Sequence, residues 1–362
     1  MKYFSRFLLF VVFIFVFSKT SAQDKSKDQV QIFYYGWYGN PETDGSYSHW
    51  NHEILPHWKD PKWNNLGHYK GGDDIGANFY PALGNYSSND ASIIEKHMKM
   101  IKQSGAGVVV ISWLGKDSFT DKSTRKYLDI ADRFGLKIAF HIEPFYKNTT
   151  EFKDQIAYLI KTYSSHHAFY KKEGKPLLYV YDSYKIPKEE WAEILSEKGK
   201  KTLRNTPLDA LYIGLWVEQK DAEFFDAAGF DGFYTYFASE GFVFGSTTAN
   251  WKFLADYAKD HHLIFIPCVG PGYSDTRIRP WNEANFKDRN GGKYYENMFD
   301  AAIKVKPDFI AITSFNEWHE GTQIEPAVPK KSGNFTYEDY GKDPQFYIKE
   351  TKRLTDKFLK GK

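Results

Sequence analysis

Apolar, β-branched and aromatic residues gather in eight short runs along the chain. Amphipathic stretches of helix length separate them. Short apolar runs bounded by turn residues read as strands, and apolar positions recurring every three to four residues read as helices. Strands are predicted at 31–37, 107–113, 137–143, 176–182, 211–217, 232–237, 263–269 and 309–315. Helices are predicted at 92–103, 121–134, 151–162 and 250–261, with a closing helix at 346–359. Gly105, Gly135 and Gly229 stand where helices should end, each just before the next strand. The alternation predicts an α/β fold, a single (β/α)8 TIM barrel. An open doubly wound sheet is the alternative, but no GxGxxG loop follows the first strand. Long loops are expected after the first strand (39–90) and the seventh (270–292). Loops of that length in a compact domain are usually functional.

The first residues stand apart from this pattern. Lys2 and Arg6 precede an unbroken apolar run at 7–17, and Thr20-Ser21-Ala22 follows. This predicts a secretory signal peptide over 1–22, cleaved before Gln23, and a catalytic domain over 23–362. The run is shorter than the roughly 20 apolar residues a bilayer span needs, so no stable membrane insertion is expected. The only cysteine is Cys268, which rules out a disulfide framework and a lipid-bearing cysteine at the cleavage point. The expectation is an exported, monomeric protein, periplasmic, cell-surface or extracellular.

A net charge of +2 with no long basic stripe gives no reason to expect a nucleic-acid partner. The aromatic share of 18% is more informative. Some of it must be core. Trp and Tyr next to Asp, Glu, His and Asn also suit sugars, whose apolar ring faces pack on aromatic rings.

TIM-barrel active sites lie at the carboxyl ends of the strands. Those ends carry Tyr34, Tyr35, Trp37, Trp113, His141, Glu143, Tyr181, Asp182, Trp216, Glu218, Tyr234 and Tyr236. The eighth runs into NEWHEGTQIEP (316–326), with Glu317, Glu320 and Glu325. Glycoside cleavage uses two carboxyls, about 5–5.5 Å apart in retaining enzymes and about 6.5–9.5 Å apart in inverting ones. Residues three apart fit either distance, depending on whether the segment is coiled or extended. A metal is the rival chemistry, through His141 and Glu143 or His49 and His52, but HEXXH is absent. No GxSxG elbow supports a serine hydrolase.

These segments resemble glycoside hydrolase family 99, the endo-α-1,2-mannosidases and bacterial endo-α-1,2-mannanases. The resemblance rests on FYYGWYGNPETDGSYSHWNH (33–52), DDIGANFYPALGNYSS (73–88), FHIEP (140–144), YVYDSY (179–184), GFDGFYTYFA (229–238), LIFIPCVGPGYSDTRIRPWN (263–282) and SFNEWHEGTQIEPAVPK (314–330). It implies a single barrel, no metal or other cofactor, and retention of anomeric configuration. The substrate would be α-mannan or a high-mannose N-glycan, cut inside the chain to release Man-α-1,3-Man or Glc-α-1,3-Man. The implied route is unusual: the sugar's own 2-hydroxyl attacks its anomeric carbon to give a 1,2-anhydro sugar. Glu317 would be the base for that hydroxyl. Glu320 would protonate the leaving oxygen and then activate water. Glu143, Tyr236 and Arg279 match sugar-site residues, and Trp113 matches a ring near the outer sugar. Tyr35, His52, Asn316 and His319 complete the implied binding set. Leu114 stands where vertebrate relatives carry Tyr, a departure at the outer-sugar position. A non-catalytic carbohydrate-binding barrel is the alternative function.

Overall fold

The computed structural model describes residues 27–361. The expected signal peptide lies outside them. Among the described residues no helix is long and apolar enough to cross a membrane.

Eight parallel strands form the barrel: β1 (Val30–Tyr34), β2 (Val108–Trp113), β3 (Lys137–Ile142), β4 (Lys175–Val180), β5 (Leu211–Leu215), β6 (Gly232–Tyr234), β7 (Ile264–Ile266, resuming at Cys268–Val269) and β8 (Ile310–Ile312). Each pairs with the next, and β8 pairs with β1. The interruption in β7 falls at Pro267, which has no N–H to give a ladder. The first half of β7 pairs β6 and the second half pairs β8. The Pro267 carbonyl still accepts the Ala311 N–H at 3.1 Å, so the ring closes across the break.

A helix follows each strand: α1 (Ala91–Ser104), α2 (Phe119–Phe134), α3 (Thr149–Tyr163), α4 (Lys188–Leu195), α5 (Asp221–Ala228), α6 (Trp251–Asp260), α7 (Lys293–Lys304) and α8 (Phe346–Lys360). Asp90, Ser118 and Asn148 cap the first three by accepting backbone N–H groups at 2.8–3.1 Å. Gly105, Gly135 and Gly229 end their helices with positive φ, as expected.

Side chains alternate along each strand. Ile32, Tyr34, Val109, Ile111, Trp113, Phe140 and Leu178 face the helices. Phe33, Val108, Val110, Ala139, Leu177, Tyr179 and Ile213 face the barrel axis. The Phe33 ring fills that axis, 5.0–5.9 Å from the rings of His141, Tyr179, Tyr234 and Tyr236. The lumen is therefore packed core, and only the layer above it opens into a site.

The eight predicted strands all form, but several predicted ends run too far. Residues 35–37, 235–237 and 313–315 lie beyond the ladder. They leave the sheet to carry the site.

Candidate active site

Above the Phe33 plug, β3 continues its parity through His141 to Glu143. Oε1 of Glu143 accepts the Ser112 hydroxyl at 2.8 Å and lies 3.0 Å from Nδ1 of His141. Nε2 of His141 meets the Tyr234 hydroxyl at 2.7 Å. One carboxylate is thus fixed by residues from three strands. Opposite stand Tyr35 and Tyr236, whose hydroxyls are 2.5 Å apart. Tyr236 holds φ at 50°, a left-handed conformation that costs a residue with a side chain about 1–2 kcal/mol. Thr313 clamps it by donating to the Tyr236 carbonyl at 2.6 Å. Strain retained at a site residue is a mark of positioning.

The carboxylate pair comes from the loop after β8, which folds back on itself. Ser314 accepts the Glu317 N–H at 2.8 Å through its hydroxyl, which also lies 2.9 Å from the Thr322 hydroxyl. The Ser314 N–H donates to the Thr322 carbonyl at 2.9 Å. Gly321 makes this turn possible: its φ is +61°, and a Cβ there would stand 2.8–3.0 Å from Ser274. Ser274 in turn donates its N–H to the Glu320 carbonyl at 2.8 Å, tying the seventh loop to the eighth. The first loop joins the same wall, since Leu55 N–H donates to the Ile278 carbonyl at 2.7 Å.

Glu317 is buried, and one of its oxygens accepts the His319 N–H at 3.1 Å. Glu320 is half-buried beside Arg279, whose Nη1 lies 3.4 Å from Glu320 and 3.1 Å from Asp275. Burial lifts the Glu317 carboxyl well above the usual range, and the nearby Glu320 charge adds to this. The His319 N–H and Arg279 pull the other way. Burial also raises Glu320, with Arg279 opposing it and Asp275 and Glu143 reinforcing it. Two such carboxyls near one another resist being ionised at the same time. The Tyr35 hydroxyl is lifted by burial and by the charges of Glu317, Glu143 and Glu320.

Three imidazoles edge the pocket. The His319 ring is 4.5 Å from His52 and 6.0 Å from His49, and His49 stacks on Trp37 at 4.4 Å. Burial pushes all three down, His49 to about 3, so they are neutral at neutral pH.

The pocket thus gathers Glu317, Glu320, Glu143, Tyr35, Tyr236, Arg279, His52 and His319. Two expected binding residues do not join it. Trp113 is fully buried on the helix side of β2, donating its Nε1–H to Asp121 at 3.0 Å. Strand parity is the reason: Ser112 takes the inward position, so Trp113 must face out. Asn316 is also fully buried. Its amide accepts the Tyr35 N–H at 2.8 Å and donates to the Tyr35 carbonyl at 2.9 Å. It joins β1 to the loop after β8, also donates to the Tyr86 hydroxyl at 3.2 Å, and so has no group left for a sugar. Glu325 is likewise spent, accepting from Tyr86, Trp318 and His97 at 2.7–3.1 Å.

Asp275 and Tyr273 were not among the expected site residues. Asp275 accepts the Tyr273 hydroxyl and an Asn282 N–H, both at 2.8 Å, and so braces Arg279. The run YSDTRIRPWN contains it, but only the fold shows which charge it balances.

Comparisons with known proteins agree with this fold. The profile described as Glycosyl hydrolase family 99 matches residues 25–360. A curated relative from Xenopus laevis, "Glycoprotein endo-alpha-1,2-mannosidase", is 47% identical over 350 residues, covering 92% of this chain and 78% of its own. A Homo sapiens relative, "Glycoprotein endo-alpha-1,2-mannosidase-like protein", is 46% identical, covering 92% of this chain and 76% of its own. Among solved structures, a GH99 endo-alpha-mannosidase from Bacteroides thetaiotaomicron superposes with a TM-score of 0.90 at 46% identity, over 92% of this chain and 98% of that one. An α/β barrel with paired acids at its mouth, matched end to end by this profile, is a glycoside hydrolase and belongs to glycosyl hydrolase family 99.

Proposed function

We propose that this protein cuts internal α-1,2-mannosidic bonds with retention, releasing Man-α-1,3-Man or Glc-α-1,3-Man from α-mannan or a high-mannose N-glycan. The observation that carries the reading is the buried Glu317–Glu320 loop facing Glu143 and the Tyr35–Tyr236 pair. The named activities of the relatives support the linkage.

In the proposed first step Glu317 takes the proton of the 2-hydroxyl. That oxygen attacks the anomeric carbon, the glycosidic bond breaks, and Glu320 gives its proton to the departing oxygen. In the second step Glu320 takes a proton from water, the hydroxide opens the 1,2-anhydro ring, and Glu317 returns its proton to the 2-oxygen. Two inversions give net retention. The axial 2-hydroxyl of mannose is trans to an α leaving group, which suits backside attack. The first step needs one carboxyl ionised and the other protonated. Burial and the Glu320 charge lift Glu317 well above the usual range, so the base role of Glu317 draws its support from the His319 N–H and from the family resemblance. Arg279, Glu143, Tyr236, Tyr35 and His52 would bind the sugars. Export after removal of residues 1–22, and a monomeric state, belong to the same reading. An exported enzyme favours mannan as the substrate.

Incubation with yeast α-mannan and with glucosylated high-mannose glycan, each with and without EDTA, tests it. A disaccharide from either, unaffected by EDTA, is expected. No product from both substrates would leave a non-catalytic sugar binder. Loss of activity in EDTA would point to a metal enzyme.

A further inference from the structure

We infer that His49, His52 and His319 form a binding site for a divalent cation of the zinc class, and that filling it inhibits hydrolysis. The binding stands apart from the proposed function; the inhibition rests on it. One ring nitrogen from each histidine lies within 4.8 Å of the other two. Among the described residues no other group of three His, Cys, Asp or Glu side chains converges in this way. Nitrogens around a tetrahedral zinc, bound at about 2.0–2.1 Å, stand about 3.3 Å apart. The cluster is therefore open by about 1.5 Å. His52, half-buried on the long first loop, is the ring placed to close it.

The unused atoms point to a ligand. Nε2 of His319 and Nδ1 of His49 are buried with no hydrogen-bond partner. Orphaned polar atoms of this kind are rare and call for an explanation. Nδ1 of His52 lies 2.6 Å from the Glu53 carbonyl, so it carries the proton and Nε2 presents the lone pair. Metal-binding histidines commonly show this bond to a backbone carbonyl. Nδ1 of His319 lies 3.6 Å from Oε1 of Glu317, beyond hydrogen-bond length, and a small shift of either group would bring the carboxylate behind the imidazole, the other common support. Three nitrogen ligands with a fourth position open match a three-ligand zinc centre. They also suit the borderline-soft metals over calcium or magnesium.

The same Glu317 contact couples the site to catalysis. A dication on His319 draws the Glu317 carboxylate against that ring and away from the sugar. The cation acts as an inhibitor, and the uninhibited enzyme works without it.

The test uses metal-free full-length protein, titrated with Zn²⁺ against a chromophoric chelator and with Co²⁺ followed by visible absorption. One equivalent should bind per chain, with the intense d–d bands of a tetrahedral site. His52→Asn and His49→Asn should each weaken binding at least about tenfold. His167→Asn, at an exposed imidazole, should not. Saturating Zn²⁺ should slow hydrolysis and EDTA should restore it. Absence of stoichiometric binding overturns the site, as does binding that survives both variants. Binding at the site with an unchanged rate overturns the inhibition. A protein inactive on every glycan sinks the proposed function and leaves the metal titration a complete test of the site.

Discussion

Arg279 stands between Asp275 and Glu320, 3.1 Å from the first and 3.4 Å from the second. Its charge is shared, and Asp275 takes the closer half. Asp275→Asn keeps the shape but leaves Glu320 as the carboxylate facing Arg279. The Glu320 pKa then falls, and the acid form is lost at lower pH. The alkaline limb of the kcat–pH profile should move down by roughly one pH unit. An unmoved limb means that Glu320 does not act as the acid.

Glu317→Gln and Glu320→Gln should each lower kcat by about 10²–10⁴-fold, the usual worth of general acid–base assistance. A mannoside with a very good leaving group should partly restore Glu320→Gln, because its departing oxygen needs no proton. It should not restore Glu317→Gln. Near wild-type rates in both variants would remove the pair from the chemistry.

Glu317→Gln should also be more stable than the parent at neutral pH. Burial raises the Glu317 pKa in the folded chain above its unfolded value of about 4.3. Between those two values the folded chain binds more protons, so stability falls as pH rises through the window. At pH 7.5 Gln removes that cost, and Tm should rise by about 1–3 °C. The gain should vanish at pH 4. A fall in Tm at pH 7.5 would contradict the burial penalty.

Trp113→Ala should unfold the protein more readily while leaving KM close to normal. Loss of a buried Trp costs about 3–5 kcal/mol, and the Asp121 carboxylate also loses a donor. Urea denaturation alongside kinetics separates the two effects. A raised KM at unchanged stability would return the ring to the sugar site.

A substrate bearing 2-fluoro or 2-deoxy mannose at the cleaved residue should not turn over, because the proposed nucleophile is gone. Intact-protein mass spectrometry should show no adduct. A 2-fluoroglycosyl ester on Glu317 or Glu320 would replace the anhydro route with an ordinary covalent one.

Strand order and five of the eight helices were legible because each strand is a buried apolar run, the longer helices are amphipathic, and three helices end on a glycine whose φ no other residue adopts cheaply. Side-chain parity at the strand ends was not. Trp113 and Ser112 are neighbours in sequence, and only the register of β2 against β3 sets which one faces the axis. Glu317 and Glu320 were legible as a cluster of acids. Asn316 was not legible as a joint, because its partner Tyr35 lies 281 positions away. The HWNH segment shows two of the three clustered histidines, while His319 arrives from the far end of the chain.

The Phe33 plug makes the barrel a vessel with a floor and one opening. Water for hydrolysis must enter by the mouth through which the sugar chain came. Both halves of a cut chain must leave by it as well. A short product cannot drain through the barrel while a longer remainder stays in place, so traffic at the rim orders the turnover. The three loops that build that rim hold one another through backbone bonds at Leu55, Ile278, Ser274 and Glu320. A change in any one of them should be felt in product release before it is felt in bond cleavage.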